Sequence, residues 1–248
     1  MEEPPMKKRI QIETTSASLH IMAMAFMLCD HLWGTVVPGN DWLTCIGRLS
    51  FPIFAFLIVE GYFHTKNLKK YVLRLLFFAV LSEIPFNLAM GSRIFYPVHQ
   101  NVLWSFLISI GLIHWNEKAK RMWTRIAVGI ASLLIGSIAG LLTMVDFYHA
   151  GILMVLVFYF FRQRKWWSFA GQLVCLWYIN TELLGGFGYE IHFGGETFFF
   201  LRQSLALLAL IPIWLYRGRQ GHHSKAFQYA CYGFYPLHLL ILGSLKFL

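Results

Sequence analysis

Asp30 and His31 stand side by side at the end of an apolar run, and Arg48 opens the next one. An imidazole titrates near neutrality, so His31 is the residue type suited to general-base work. Adjacent helical positions point ~100° apart, so Asp30 is not the automatic partner of His31. Asp30 can pair with Arg48 while Glu83 or Asp146 orients the ring. Arg48, Gln100 or Asn101 can donate to a developing oxyanion. Glu60 and His64 lie four residues apart and share a helix face. Lys66, Lys69, Lys70 and Arg74 follow at once, and such a basic patch suits phosphate groups. These groups together describe acyl transfer. A phosphate-bearing thioester enters from the basic side, and His31 takes the proton of an amine or hydroxyl attacking its carbonyl.

Each group also has a purely structural reading. Asp30 with Arg48 is a buried ion pair, and His31 is a satisfied core histidine. Glu83 reconnects backbone freed by Pro85. Lys66 to Arg74 is a cytoplasmic anchor. His222 and His223 read as an exposed loop pair without a role.

The elements that must carry these residues follow from composition. The 248 residues are 57% hydrophobic, 17% aromatic and only 13% charged, with mean hydropathy +0.56. Soluble domains carry about 25% charged residues. A disordered chain, a nucleic-acid-binding domain and a water-soluble enzyme are excluded on that balance. The expected class is all-α: a polytopic transmembrane bundle in the lipid bilayer. A span needs ~20 mostly apolar residues, and nine segments can be drawn. They are roughly 19–37, 43–62, 71–90, 98–115, 123–144, 147–161, 166–181, 198–216 and 226–246. The fifth and sixth are separated by a break at Val145-Asp146.

With the N-terminus in the cytoplasm, sixteen of the 21 Lys and Arg residues fall on the inner side and two on the outer. That asymmetry is the usual mark of cytoplasmic loops and accounts for the net charge of +9. Residues 1–18 form a cytoplasmic segment and 19–248 a single membrane domain. Ala23-Met24-Ala25 follows too little apolar sequence for signal cleavage, so the first span is retained. The longest outer connection, 182–196, holds five glycines and no Lys or Arg, which suits a re-entrant or lid-like loop or a plain flexible one. The four cysteines form no metal or redox motif, and neither a disulfide nor a metal site is expected.

Ionisable residues inside spans are costly and face the bundle interior. Asp30, His31, Arg48, Glu83, Asn87, His99, Gln100, Asn101, Asp146 and Arg202 all fall toward the outer half, with His238 near mid-depth. Stability does not require such convergence, so a polar cavity open to the outside is expected. A proton-coupled transporter would also use buried ionisable groups, but no inverted repeat or matched pair of broken helices is visible. A non-catalytic scaffold for envelope assembly gains little from a polar interior.

The stretches Met22–His31, Ile46–Thr65, Tyr71–Ala79, Ser82-Glu83-Ile84-Pro85-Phe86-Asn87, Asn101-Val102-Leu103 and Phe234-Tyr235-Pro236-Leu237-His238 resemble the TraX family, with Asp146-Phe147-Tyr148 as an anchor through the middle. The resemblance implies a polytopic bacterial inner-membrane protein, in a family whose namesake is associated with acetylation of the N-terminus of conjugative pilin. The family is distantly similar to membrane acyltransferases that carry acetyl groups from cytoplasmic acetyl-CoA to acceptors on the far side. It implies acetyl-CoA as donor and a peptide, lipid or glycan acceptor. His31, Asp30, Arg48 and Glu83 are then the catalytic candidates. Glu60, His64, Lys66, Lys70, Arg74 and Asn101 are the donor-site candidates. Asn87, His99, Gln100, Asp146, Tyr148 and His238 fall to the acceptor.

Overall fold

The computed structural model describes residues 13–246, apart from the side chain of Phe193. Lys7, Lys8, Arg9 and most of the expected cytoplasmic segment 1–18 lie outside the described residues.

The described chain is mostly helical. Helix α1 (Ser16–Thr35) starts where Thr15 and Ser18 exchange side-chain and backbone hydrogen bonds, satisfying donors that a helix start leaves free. The next run is divided into α2 (Asp41–Gly47) and α3 (Ser50–His64) by a turn at Arg48-Leu49. Pro52 has no N–H to give the carbonyl of Arg48, and a proline fits only the first turn of the helix that follows. Helix α4 (Leu68–Gly91) is capped by Asn67 and contains Pro85. Helix α5 (Val102–Lys118) is capped by the Asn101 side chain. Then come α6 (Met122–Leu142), α7 (Tyr148–Phe160) and α8 (Trp166–Tyr178), the last running into a π-helical turn at Ile179–Leu184. After a hairpin, a 3-10 segment (Arg202–Ala209) leads into the short α9 (Leu210–Leu215). Helix α10 (Lys225–Leu245) is capped by Ser224.

The hairpin corrects the all-α expectation. Strands β1 (Gly188–Phe193) and β2 (Glu196–Leu201) pair antiparallel, with Phe193 opposite Glu196. Gly194 and Gly195 both take positive φ, 63° and 87°, as a two-residue hairpin turn demands. The expected loop 182–196 is therefore partly strand, and the expected span 198–216 opens as a strand. Its Thr-Phe-Phe-Phe run is rich in strand-forming residues, which hydropathy alone reads as a span.

Among the described residues, three helical stretches are long and apolar enough to cross a membrane: Asp41–His64, Leu68–Gly91 and Met122–Leu142. On α6 the large side chains of Trp123, Ile130, Leu134, Ile138 and Leu142 are exposed, while Gly129, Ser132, Gly136 and Gly140 are buried. Its exposed face is apolar, and it approaches its neighbours through small residues. A Cβ on Gly136 would lie 2.9 Å from Ile152 and 3.0 Å from Leu112. At 13 residues, α7 is too short to span, yet Ile152, Met154, Val155 and Leu156 are fully buried. It is the central core helix, touched by α3, α5, α6 and α8. Helix α10 lies along α4, with Tyr232 stacked on Phe78, and also touches α1. That placement carries His238 to His31.

Candidate functional site

One cavity of about 300 Å³ is lined by Asp30, His31, Arg48, His99, Asp146 and Gln203 among aromatic walls that include Phe51, Phe147 and Tyr235. Gly47 allows α2 to close on α1. Any Cβ there would collide with the Asp30 side chain. Arg48 reaches back from the turn between α2 and α3, donating through Nη2 to Asp30 Oδ1 at 2.6 Å and to Thr44 Oγ1 at 2.7 Å. Thr44 donates in turn to Asp30 Oδ1 at 2.6 Å, and Arg48 Nη1 to Gln203 Oε1 at 3.2 Å. Gln203 donates onward to Asn180 Oδ1 at 2.9 Å. The ion pair is thus embedded in satisfied hydrogen bonds. That is the condition under which a largely desolvated charge pair is tolerated.

His31 is held from the other side. Its Nδ1 lies 2.7 Å from Nε2 of His238, and His238 Nδ1 lies 2.6 Å from the carbonyl oxygen of Phe234. The two rings are nearly coplanar in tilt, 4° apart, with centroids 5.0 Å apart. The expectation that Glu83 or Asp146 orients His31 is corrected, because His238 makes that contact. The residue assigned to the acceptor touches the candidate base instead.

Asp146 faces His99 at 3.3 Å, and both line the cavity. Asp146 is flanked by strained backbone. Met144, Phe147 and Tyr148 have φ of 50°, 61° and 46°, each costing of the order of 1–3 kcal/mol. Surrounding contacts fix this segment. Gln100 N–H donates to Met144 O at 2.9 Å, Asp146 N–H to Gln100 O at 2.8 Å, and Ser105 Oγ to Asp146 O at 3.0 Å. The Phe147 ring, stacked 4.2 Å from Phe51, becomes part of the cavity wall.

The second cavity, about 680 Å³, opens at the other end of the bundle. Glu60, His64, Lys66 and Arg74 line it, as expected for the donor candidates, together with His20, His222 and His223. Glu60 is engaged with Arg162 at 2.7 Å and His64 at 3.6 Å. Arg74 donates to Gln228 Oε1 at 3.2 Å and lies over the Tyr232 ring at 5.1 Å, but its Nε is buried without a hydrogen-bond partner. The two cavities share Met27, Phe54, Val102, Phe106 and Tyr235 in their walls. These five apolar and aromatic residues, the neck, line both the Arg74 cavity and the His31 cavity.

Several candidates lie elsewhere. Asn101 is fully buried, caps α5 and donates to Ala79 O and Glu83 Oε2. Neither Asn101 nor Glu83 lines either of these two cavities. Asn87 is buried and donates to Ile94 O at 3.3 Å. Gln100 donates its side-chain amide to Pro97 O at 2.8 Å. Tyr148 stacks on His99, with ring centroids 6.3 Å apart, from outside the wall. Lys70 is exposed and outside the Arg74 cavity. Sequence reasoning missed Thr44, Gln203 and Tyr235, whose residue types carry no signal until the fold assembles them. It dismissed His222-His223, whose position in a basic loop beside the Lys66 patch was the available clue.

Helices long and apolar enough to cross a membrane, packed around a cavity lined by Asp30, His31 and Arg48, are features of a membrane protein. The chain belongs to the TraX family: the family model described as TraX protein matches residues 15–246. A probable fimbrial assembly protein FimC, serogroup H1, of Dichelobacter nodosus is 28% identical over 254 residues, covering 95% of this chain and 97% of that protein. No solved structure matches.

Proposed function

We propose that this chain is a membrane-bound acetyltransferase that draws acetyl-CoA from the cytoplasm and transfers the acetyl group to an acceptor at the outer face. In this reading the N-terminus is cytoplasmic, the chain crosses the bacterial inner membrane several times, and the Arg74 cavity opens inward. The observation that supports the proposal is that the two cavities share the residues of this neck in their walls. The donor's phosphates rest among Arg74, Lys66 and the cavity histidines, and its thioester arm passes Tyr235 and Phe54 to reach His31. The acceptor amine or hydroxyl loses its proton to His31 as it attacks the carbonyl carbon. The C–S bond then breaks, and the proton returns from His31 to the coenzyme thiolate. Arg48 supplies a fixed positive charge beside the developing oxyanion. The fimbrial name of the relative favours a pilin-type peptide over a lipid or glycan as acceptor.

The test is direct. Coenzyme A should raise the melting temperature of the purified protein, because a ligand that binds only the folded state stabilises it. His31→Ala should keep that shift while acetyl transfer to a peptide amine falls by roughly 1,000-fold, within the range a general base supplies. Full transfer by His31→Ala, or no thermal shift, overturns the reading.

A further inference from the structure

We infer that His238 is a positioning residue that fixes the tautomer of His31, so that the lone pair of His31 sits on Nε2, facing the cavity. The inference follows from which atoms can donate. The Phe234 carbonyl oxygen can only accept, so at 2.6 Å the hydrogen belongs to His238 Nδ1. A neutral His238 then has its lone pair on Nε2. The 2.7 Å contact to His31 therefore takes its hydrogen from His31 Nδ1, which leaves His31 Nε2 as the acceptor. Doubly protonated His238 would reverse the last bond. The residue is only 6% exposed, its ring stacks on Phe234 at 4.7 Å, its two nitrogens face His31 and the Phe234 carbonyl, and no carboxylate among the described residues pairs with it to offset an added charge. A carbonyl thus performs, through one intervening imidazole, the orienting work that a carboxylate performs in a serine-protease triad.

The local sequence explains the reach. His238 bonds the carbonyl four residues back along its own helix, within the turn that Pro236 loosens. On α1, Thr35 Oγ1 donates to the His31 carbonyl at 2.5 Å, and the remaining contacts of Asp30 go to Arg48 and Thr44. Asp30 is therefore committed elsewhere, and His238 is the side chain that addresses His31 Nδ1.

The decisive measurement is nitrogen NMR of the full chain with 15N-labelled histidine, the His31 signals being assigned by their loss in His31→Gln. The wild type should show His31 protonated at Nδ1. His238→Ala should shift His31 toward the Nε2-protonated form. His238→Gln, whose side-chain carbonyl stands where Nε2 stood, should restore Nδ1 protonation. The kinetic arm rests on the acetyltransferase reading. There His238→Ala should lower kcat roughly 100-fold, the low end for disabling a general base, leave KM for acetyl-CoA unchanged, and be largely rescued by Gln. An Nε2-protonated His31 in the wild type, or a tautomer indifferent to His238→Ala, overturns the inference. The expected tautomers in a protein with no transferase activity would uphold the inference and sink the enzymatic reading alone.

Discussion

The two cavities differ in how their polar groups are used. Around His31, the charged side chains are tied to one another: Asp30, Arg48, Thr44, Gln203 and Asn180 form one continuous network, and His31 leans on His238. Around Arg74 the space is more than twice as large, and Arg74 Nε has no partner. Fixed dipoles in a small, largely apolar chamber suit charge that appears only during a reaction. Loosely committed cations in a wide chamber suit a ligand that brings its own anionic groups. The proposed function assigns chemistry to the first end and holding of the donor to the second.

That contrast can be broken at the neck. Val102→Phe narrows the wall the cavities share without touching either polar set. Acetyl transfer should fall by roughly 100-fold, the scale of a small misplacement of reacting groups, while coenzyme A still raises the melting temperature. Unchanged transfer would mean that the donor does not use this passage. The network around His31 provides the next effect. Asp30→Asn leaves Arg48 without its counter-charge, and losing one member of a mostly buried pair costs about 3 kcal/mol. Thermal unfolding in detergent should register that loss, and Asp30→Asn with Arg48→Gln should recover part of it. The smallest effect belongs to the wide cavity. Arg74→Gln should weaken coenzyme A binding by about tenfold, or ~1.4 kcal/mol, with the unfolding temperature of the ligand-free protein little changed. If Arg74→Gln unfolds the protein as readily as Asp30→Asn, the division between holding and chemistry is wrong.

The sequence marked most helices closely. The expected segments 71–90, 123–144 and 226–246 became α4, α6 and α10 with ends within a few residues. Apolar runs and basic loops are local signals, and capping residues such as Asn67 and Ser224 are too. The hairpin is not legible because Phe198 to Leu201 satisfies hydropathy whether it forms a strand or a helix, and the Gly-Gly pair that decides between them suits a re-entrant, lid-like or flexible loop as well as a hairpin turn. Asp30 with Arg48 was legible because both residues are expensive in an apolar setting and must find partners. Glu83 and Asn101 misled for the same reason. Costly groups do pair, but here they pair with each other at the start of α5 and outside either cavity.

By itself the sequence determined that the chain is largely helical and built of long apolar runs, that Lys and Arg cluster between those runs, and that His31 is chemically the most versatile group within them. Those conclusions need only composition, period and residue type. Tertiary structure alone decided that α10 brings His238 within 2.7 Å of His31 across 207 residues, and that two cavities share Tyr235 in their walls. Both depend on how helices distant along the chain lie against one another, and no local pattern of residues encodes a contact of that range.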